Sequence, residues 1–163
     1  MPEAGFEAFV RDEYRTVVRT AYWMTGNQQD AADLAQEAFA RAYERWRTVS
    51  RMDRPDAWVQ RVVVNLALSE RRRRRIMEIV RSRQQTGVVP ETQAPDPGLR
   101  QALLALTPAQ RSVIVLRYYV DRSIDEVARD LGKRPGTVRA LTAQGLARLR
   151  EQLAEGNRHD VRR

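Results

Sequence analysis

Ser123-Ile-Asp-Glu-Val-Ala-Arg-Asp-Leu-Gly-Lys-Arg-Pro-Gly-Thr-Val-Arg139 is the stretch that decides the fold class. Its first four residues form a capping box, in which the serine and glutamate side chains each satisfy a free N–H of the first helical turn. Val127, Ala128 and Leu131 follow at helical spacing. Gly132 suits the left-handed residue that ends a helix. Pro135 suits the first turn of the next one, where its missing N–H costs little. The pattern predicts a helix over residues 123–131, a turn over 132–134 and a second helix over 135–150, which is a helix-turn-helix. On the second helix Val138, Thr142, Gly145, Leu146 and Leu149 share the inward face. Arg139, Ala140, Ala143, Gln144 and Arg148 share the outward one. Such a helix enters the major groove with its N-terminal residues against base edges. Arg139 and Gln144 carry donors suited to guanine and adenine.

Working upstream, Thr107-Pro-Ala-Gln110 is another capping box, with proline at the first helical position. A short helix is predicted before it, over residues 99–106. Residues 84–98 hold Gly87, Pro90, Pro95, Pro97 and Gly98 without helical periodicity, and read as a linker. The N-terminal half gives three helices. Phe6, Phe9, Val10, Tyr14, Val17, Val18 and Ala21 mark the first, which Gly26 stops. The second starts near Asp30 and carries Leu34, Ala35, Ala38, Phe39, Ala42, Tyr43 and Trp46 on its apolar side. A loop is predicted over residues 47–54. The third helix opens at Pro55, holds Trp58, Val62, Val63, Leu66 and Ala67, and runs into five consecutive arginines, 71–75. The tail from Glu155 reads as frayed. No strand pattern appears, so the fold class is all-α: two small helical domains joined by a flexible linker, the C-terminal one containing the helix-turn-helix. The expected boundaries are 1–82, 83–96 and 97–163.

Composition narrows the partners. The 163 residues carry a net charge of +8, with a pI of about 10.8. That balance favours nucleic acid over an anionic membrane surface. Lys133 is the only lysine, so 28 of the 29 basic residues are arginine, whose forked donors fit phosphate oxygens and guanine edges. There is no cysteine and hence no disulfide or thiolate chemistry. No apolar run approaches the roughly 20 residues that span a bilayer, and the N-terminus lacks a signal-peptide pattern. The one histidine, His159, lies in the tail. With no metal-ligand cluster, no phosphate loop and no nucleophile–base spacing, the chain is read as having no catalytic residues, no metal and no cofactor, and so as not an enzyme.

Asp33, Glu37, Arg41 and Glu44 fall on one stripe of the second helix, which by periodicity is a solvated face with Glu37 pairing Arg41. Yet Asp33-Leu-Ala-Gln-Glu-Ala-Phe39, together with Leu106-Thr-Pro-Ala-Gln-Arg-Ser-Val-Ile-Val-Leu-Arg117 and the helix-turn-helix, resembles the extracytoplasmic-function (ECF) group of sigma-70 family sigma factors. The resemblance runs from about Phe6 to Leu153. It implies a cytoplasmic protein that binds core RNA polymerase and directs promoter recognition and transcription initiation. It implies that Asp33, Gln36, Glu37 and Arg41 dock on polymerase, with Phe39 in the core. It assigns the −10 promoter element to Arg51, Met52, Asp53, Arg61, Asn65, Arg71 and Arg72. Trp58 also matches the family, though a tryptophan at that spacing fits the core. The −35 element falls to Arg134, Thr137, Arg139, Ala140, Ala143, Gln144 and Arg148. Promoter DNA and core polymerase are the implied partners, with an anti-sigma factor as a further one to test. The alternative reading is a one-component helix-turn-helix regulator whose N-terminal half senses or dimerises; it needs a ligand pocket or self-complementary face in residues 6–75.

Overall fold

The computed structural model describes residues 2–80 and 96–160, and the expected linker falls almost wholly outside them. Eight α-helices are present among the described residues: α1 (Pro2–Thr25), α2 (Gln28–Glu44), α3 (Trp46–Val49), α4 (Pro55–Val80), α5 (Pro97–Leu104), α6 (Pro108–Ile114), α7 (Ile124–Leu131) and α8 (Pro135–Asp160). A π-helical turn, Val115–Tyr119, continues α6.

Local chemistry sets most boundaries. Gly26 ends α1 with φ of 69°. The Asn27 side chain then caps α2 by accepting from the Asp30 N–H at 3.0 Å. Both capping boxes form as the spacing predicts, at Thr107–Gln110 and Ser123–Glu126. Several boundaries differ from the sequence reading: α2 begins at Gln28 rather than near Asp30, and Trp46, read onto that helix, opens α3 instead. Residues 47–49 belong to the single turn α3, which Val49 anchors by full burial. The helix predicted over 99–106 spans Pro97–Leu104, because Asp96 caps it and Pro97 opens it. α8 runs to Asp160 rather than fraying at Glu155, since no proline or helix-ending glycine conformation interrupts it.

In the N-terminal half α1, α2 and α4 pack around Val17, Ala21, Ala35, Ala38, Val59 and Val63, all fully or almost fully buried. The alanines of α2 let its axis approach α1 closely. Tyr14 and Tyr43, assigned to apolar faces by periodicity, lie at the rim, 40% and 53% exposed. There Tyr43 meets the Phe6 ring at 5.0 Å. In the C-terminal half α8 packs against α5, α6 and α7, and residues 111–116 are all buried.

The two halves pack against one another. The buried side chains of both form one cluster, from Val17 to Val138. Arg111 lies at the junction, fully buried. It donates to the carbonyls of Leu103, Leu104 and Leu106 around the end of α5, and to that of Met24 at the end of α1, at 2.7–3.0 Å. No carboxylate faces it among the described residues. The cation sits where two helix C-termini converge, and their unpaired carbonyls supply the negative end of each dipole. Burial, and secondarily the charge of Arg71, lowers its pKa to about 10, which leaves it charged at neutral pH. Arg100 adds a second bond across the junction, Nε to the Gly26 carbonyl at 2.7 Å. Leu104 fills the space that a Cβ on Gly26 would need, its Cδ1 standing 2.5 Å from that position.

Candidate nucleic-acid and polymerase interface

The helix-turn-helix is held rigid before anything binds it. Ser123 Oγ accepts from the Glu126 N–H at 3.2 Å, and Glu126 accepts in return from the Ser123 N–H at 2.7 Å. That second bond holds the Glu126 carboxyl below the usual carboxylate range. Arg122 ties two of the three acidic residues of α7 together, donating to Glu126 at 2.8 Å and to Asp130 at 3.2 Å. Gly132, at φ of 61°, turns the chain, and the Lys133 N–H closes the turn on the Ala128 carbonyl at 2.8 Å.

α8 is thereby presented with its faces divided as the spacing predicts. Val138 and Gly145 are buried, and Thr142, Leu146 and Leu149 half-buried. Gly145 lets α8 lie directly on α6: a Cβ there would meet Ile114 Cγ1 at 3.0 Å. Arg134, Thr137, Arg139, Ala140, Ala143, Gln144 and Arg148 are all exposed and form one continuous outer surface. Two arginines at its start, two alanines offering little bulk and one amide suit the floor of a major groove.

On α2, Asp33, Gln36, Glu37 and Arg41 are exposed while Phe39 is buried beneath them. Glu37 accepts from Arg41 Nε at 2.9 Å, one turn along the helix, and Asp33 accepts from Gln29 at 3.0 Å. These exposed contacts contribute little to stability and leave the stripe free to re-pair with a partner.

The seven residues expected at a −10 element fall into three groups. Arg51, Met52 and Asp53 are exposed on the turn between α3 and α4. Arg61 and Asn65, half-buried, face a cleft of about 500 Å³ that also takes in Trp58, Arg41 and Asp130. This cleft brings a polymerase-dock candidate next to two DNA candidates, which sequence spacing alone does not reveal. Asn65 Nδ2 donates to the Asp130 carbonyl of α7 at 3.3 Å, so the helix-turn-helix covers it. Arg71 and Arg72 are exposed on α4, one turn beyond Leu68. Their neighbour Arg74 is held by Asp30 through two bonds of 2.7 and 2.9 Å. The arginine run thus divides by helical geometry into one structural member and others free for anions.

The comparisons bear on both halves. The Sigma-70 region 2 family matches residues 9–76, and the Sigma-70, region 4 family matches residues 98–149. The chain belongs to the ECF group of the sigma-70 family. Curated relatives agree: it is 37% identical to the RNA polymerase sigma-E factor of Streptomyces coelicolor over 156 residues, covering 91% of this chain and 85% of the relative. It is 32% identical to the ECF RNA polymerase sigma factor SigL of Mycobacterium tuberculosis over 163 residues, covering 94% and 92%. A solved structure of the sigma factor RpoE from Bartonella quintana, in complex with the anti-sigma factor NepR, shares the fold. It has a TM-score of 0.77 at 21% identity and covers 92% of this chain and 97% of that one. This sigma factor binds core RNA polymerase and directs promoter recognition and transcription initiation. The region 2 match lies within the α1–α4 half and the region 4 match within the α5–α8 half. The region 2 match fills the half in which the alternative reading needed a sensor or a dimerisation face, and that reading is set aside. No helix among the described residues is long and apolar enough to cross a membrane.

Sequence reasoning missed Arg111 and Asp130. Arg111 stands inside a recognised motif, but nothing in its neighbours marks it as buried. Asp130 meets Asn65 through its main-chain carbonyl, which has no side-chain signature at all.

Proposed function

We propose that the sigma factor divides its work among three surfaces on two domains, 1–82 and 97–163, joined over residues 83–96. Asp33, Gln36, Glu37 and Arg41 dock on core polymerase. Arg51, Met52, Asp53, Arg61 and Asn65 read the −10 element, and Arg71 and Arg72 neutralise its phosphates. Arg134, Thr137, Arg139, Ala140, Ala143, Gln144 and Arg148 read the −35 element. The chain works in the cytoplasm and contributes no catalytic group; polymerase performs the chemistry. An anti-sigma factor controls its availability. The observation that carries the reading is the exposed face of α8, set on a capped turn and free of internal partners among the described residues.

Two outcomes test it. Glu37→Lys is expected to weaken binding to core polymerase while folding stability stays within about 0.5 kcal/mol, as for other surface changes. A pull-down at graded polymerase concentration reads the first and thermal unfolding the second; unaltered capture would remove α2 as the dock. On the DNA side, losing a bidentate base contact costs about 1–3 kcal/mol and relaxes choice at one position. Losing a phosphate contact weakens all sequences alike and lowers the salt slope by about one. With holoenzyme on a panel of −35 variants, Arg139→Ala is expected to flatten preference at one or two bases, and Arg72→Ala to shift every variant together. A uniform loss from Arg139→Ala would move base reading to Gln144 or to DNA shape.

A further inference from the structure

Closing the two halves on one another creates a cleft of about 610 Å³ that neither half has alone. One wall is α4, contributing Asn65, Ser69, Arg71, Arg72 and Arg75; the other is region 4, contributing Lys133 from the turn before α8. Residues 71 and 75 lie one helical turn apart and 72 and 75 three residues apart, so the three guanidinium groups share a stripe of α4. The volume is in the range of small-molecule sites. No aspartate or glutamate among the described residues lines it.

The charge balance of this cleft needs explaining. Packing the halves carries the single lysine of the chain towards three arginines, and like charges gathered in a cleft repel. Arg74, beside them on the same helix, is compensated by Asp30 and Glu70, in a neighbouring cleft that Arg71 and Arg75 also border. Within the cleft, neither the three arginines nor Lys133 has an ion-pair partner among the described residues. The positive field reaches Arg111, whose pKa Arg71 helps to lower. Guanidinium forks match phosphate oxygens bidentately, and a lysine ammonium serves as a compact point charge for the same group. Cations on both walls call for an anion with several charged groups along its length.

We propose that this cleft between α4 and the α7–α8 turn binds a linear oligophosphate, inorganic or the phosphate chain of a nucleotide, and that the bound anion holds the halves closed. The cleft forms only where α7 covers Asn65, so the anion and promoter DNA compete for the state of the protein. That consequence rests on the function proposed above; the binding itself does not.

The test uses the full chain without polymerase or DNA. Inorganic tripolyphosphate is titrated at fixed ionic strength, followed by calorimetry and by thermal unfolding. One saturable site is expected, with Tm rising with the logarithm of free anion, as for any ligand of the folded state. Sulfate at matched ionic strength is expected to produce little of the effect. Lys133→Gln and Arg75→Gln each remove one charge-assisted contact, and each is expected to weaken binding about tenfold or more. Neither side chain has a described hydrogen bond, so far-ultraviolet circular dichroism should match the unaltered protein. ATP binding as tightly as tripolyphosphate assigns the site to the phosphate chain alone; ATP binding about tenfold more tightly assigns it to a nucleotide. Absence of saturable binding overturns the proposal, as does binding that survives in both variants. Displacement of tripolyphosphate by a short oligonucleotide of equal phosphate number, at equal concentration, would reassign the cleft to a nucleic-acid backbone.

Discussion

Arg111→Ala is expected to destabilise the folded chain by about 3 kcal/mol or more, with Tm falling by roughly 10 °C. The guanidinium serves four carbonyls at once, three around the end of α5 and one at the end of α1. Each buried acceptor left without a donor costs about 1–3 kcal/mol, less where water enters the vacated space. Arg111→Lys separates charge from geometry. It keeps the cation at the convergence of two helix ends but cannot span four acceptors, because an ammonium lacks the planar fork. An intermediate loss is expected, closer to alanine than to the unaltered protein. Thermal and denaturant unfolding read both variants. A loss within about 0.5 kcal/mol, the range of ordinary surface positions, would mean that the side chain lies in solvent.

The second large effect is expected at Gly26. Its φ of 69° is a conformation that a side chain bearing a Cβ reaches only at a cost of roughly 1–2 kcal/mol. Leu104 also occupies the space a Cβ would take, and overpacking of this kind costs typically about 1–3 kcal/mol. Gly26→Val should therefore lose on the order of 3 kcal/mol. The two contributions are separable. Leu104→Ala in the Gly26→Val background relieves the collision but not the backbone strain, so the double variant should lose less than the sum of the single ones. A double-mutant cycle from unfolding free energies measures that difference. Strict additivity would show that region 4 does not rest on the α1–α2 turn.

How far the sequence carried depended on the range of the interaction. The capping boxes at Thr107 and Ser123, the turn at Gly132 and the two faces of α8 were legible because each is settled within a few residues. The Glu37–Arg41 pair was legible for the same reason. Tyr14 and Tyr43 matched the apolar period but lie at the rim, since period reports which side of a helix a residue occupies and not how deep its neighbours reach. The short helix α3 was read as loop, because four residues hold too little pattern to mark a turn. Arg111 escaped notice entirely: its partners Met24 and Leu103 are main-chain carbonyls, one of them 87 residues away. The same holds for Asn65, whose family resemblance points to DNA and whose partner here is a carbonyl of α7. Contacts between the halves leave no local mark on either.

The buried run at residues 111–116 has a consequence for how this chain tolerates change. Six successive residues sweep through more than a full turn at about 100° each, so the last turn of α6 and the start of the π-helical turn have no solvent side. On α2 a substitution scan would find permissive and intolerant sites alternating with the helical period, because one stripe faces water. Across 111–116 it would find an unbroken block. Drift within the family can remodel the surfaces that meet polymerase and DNA, while this short shaft gives selection almost nothing to vary.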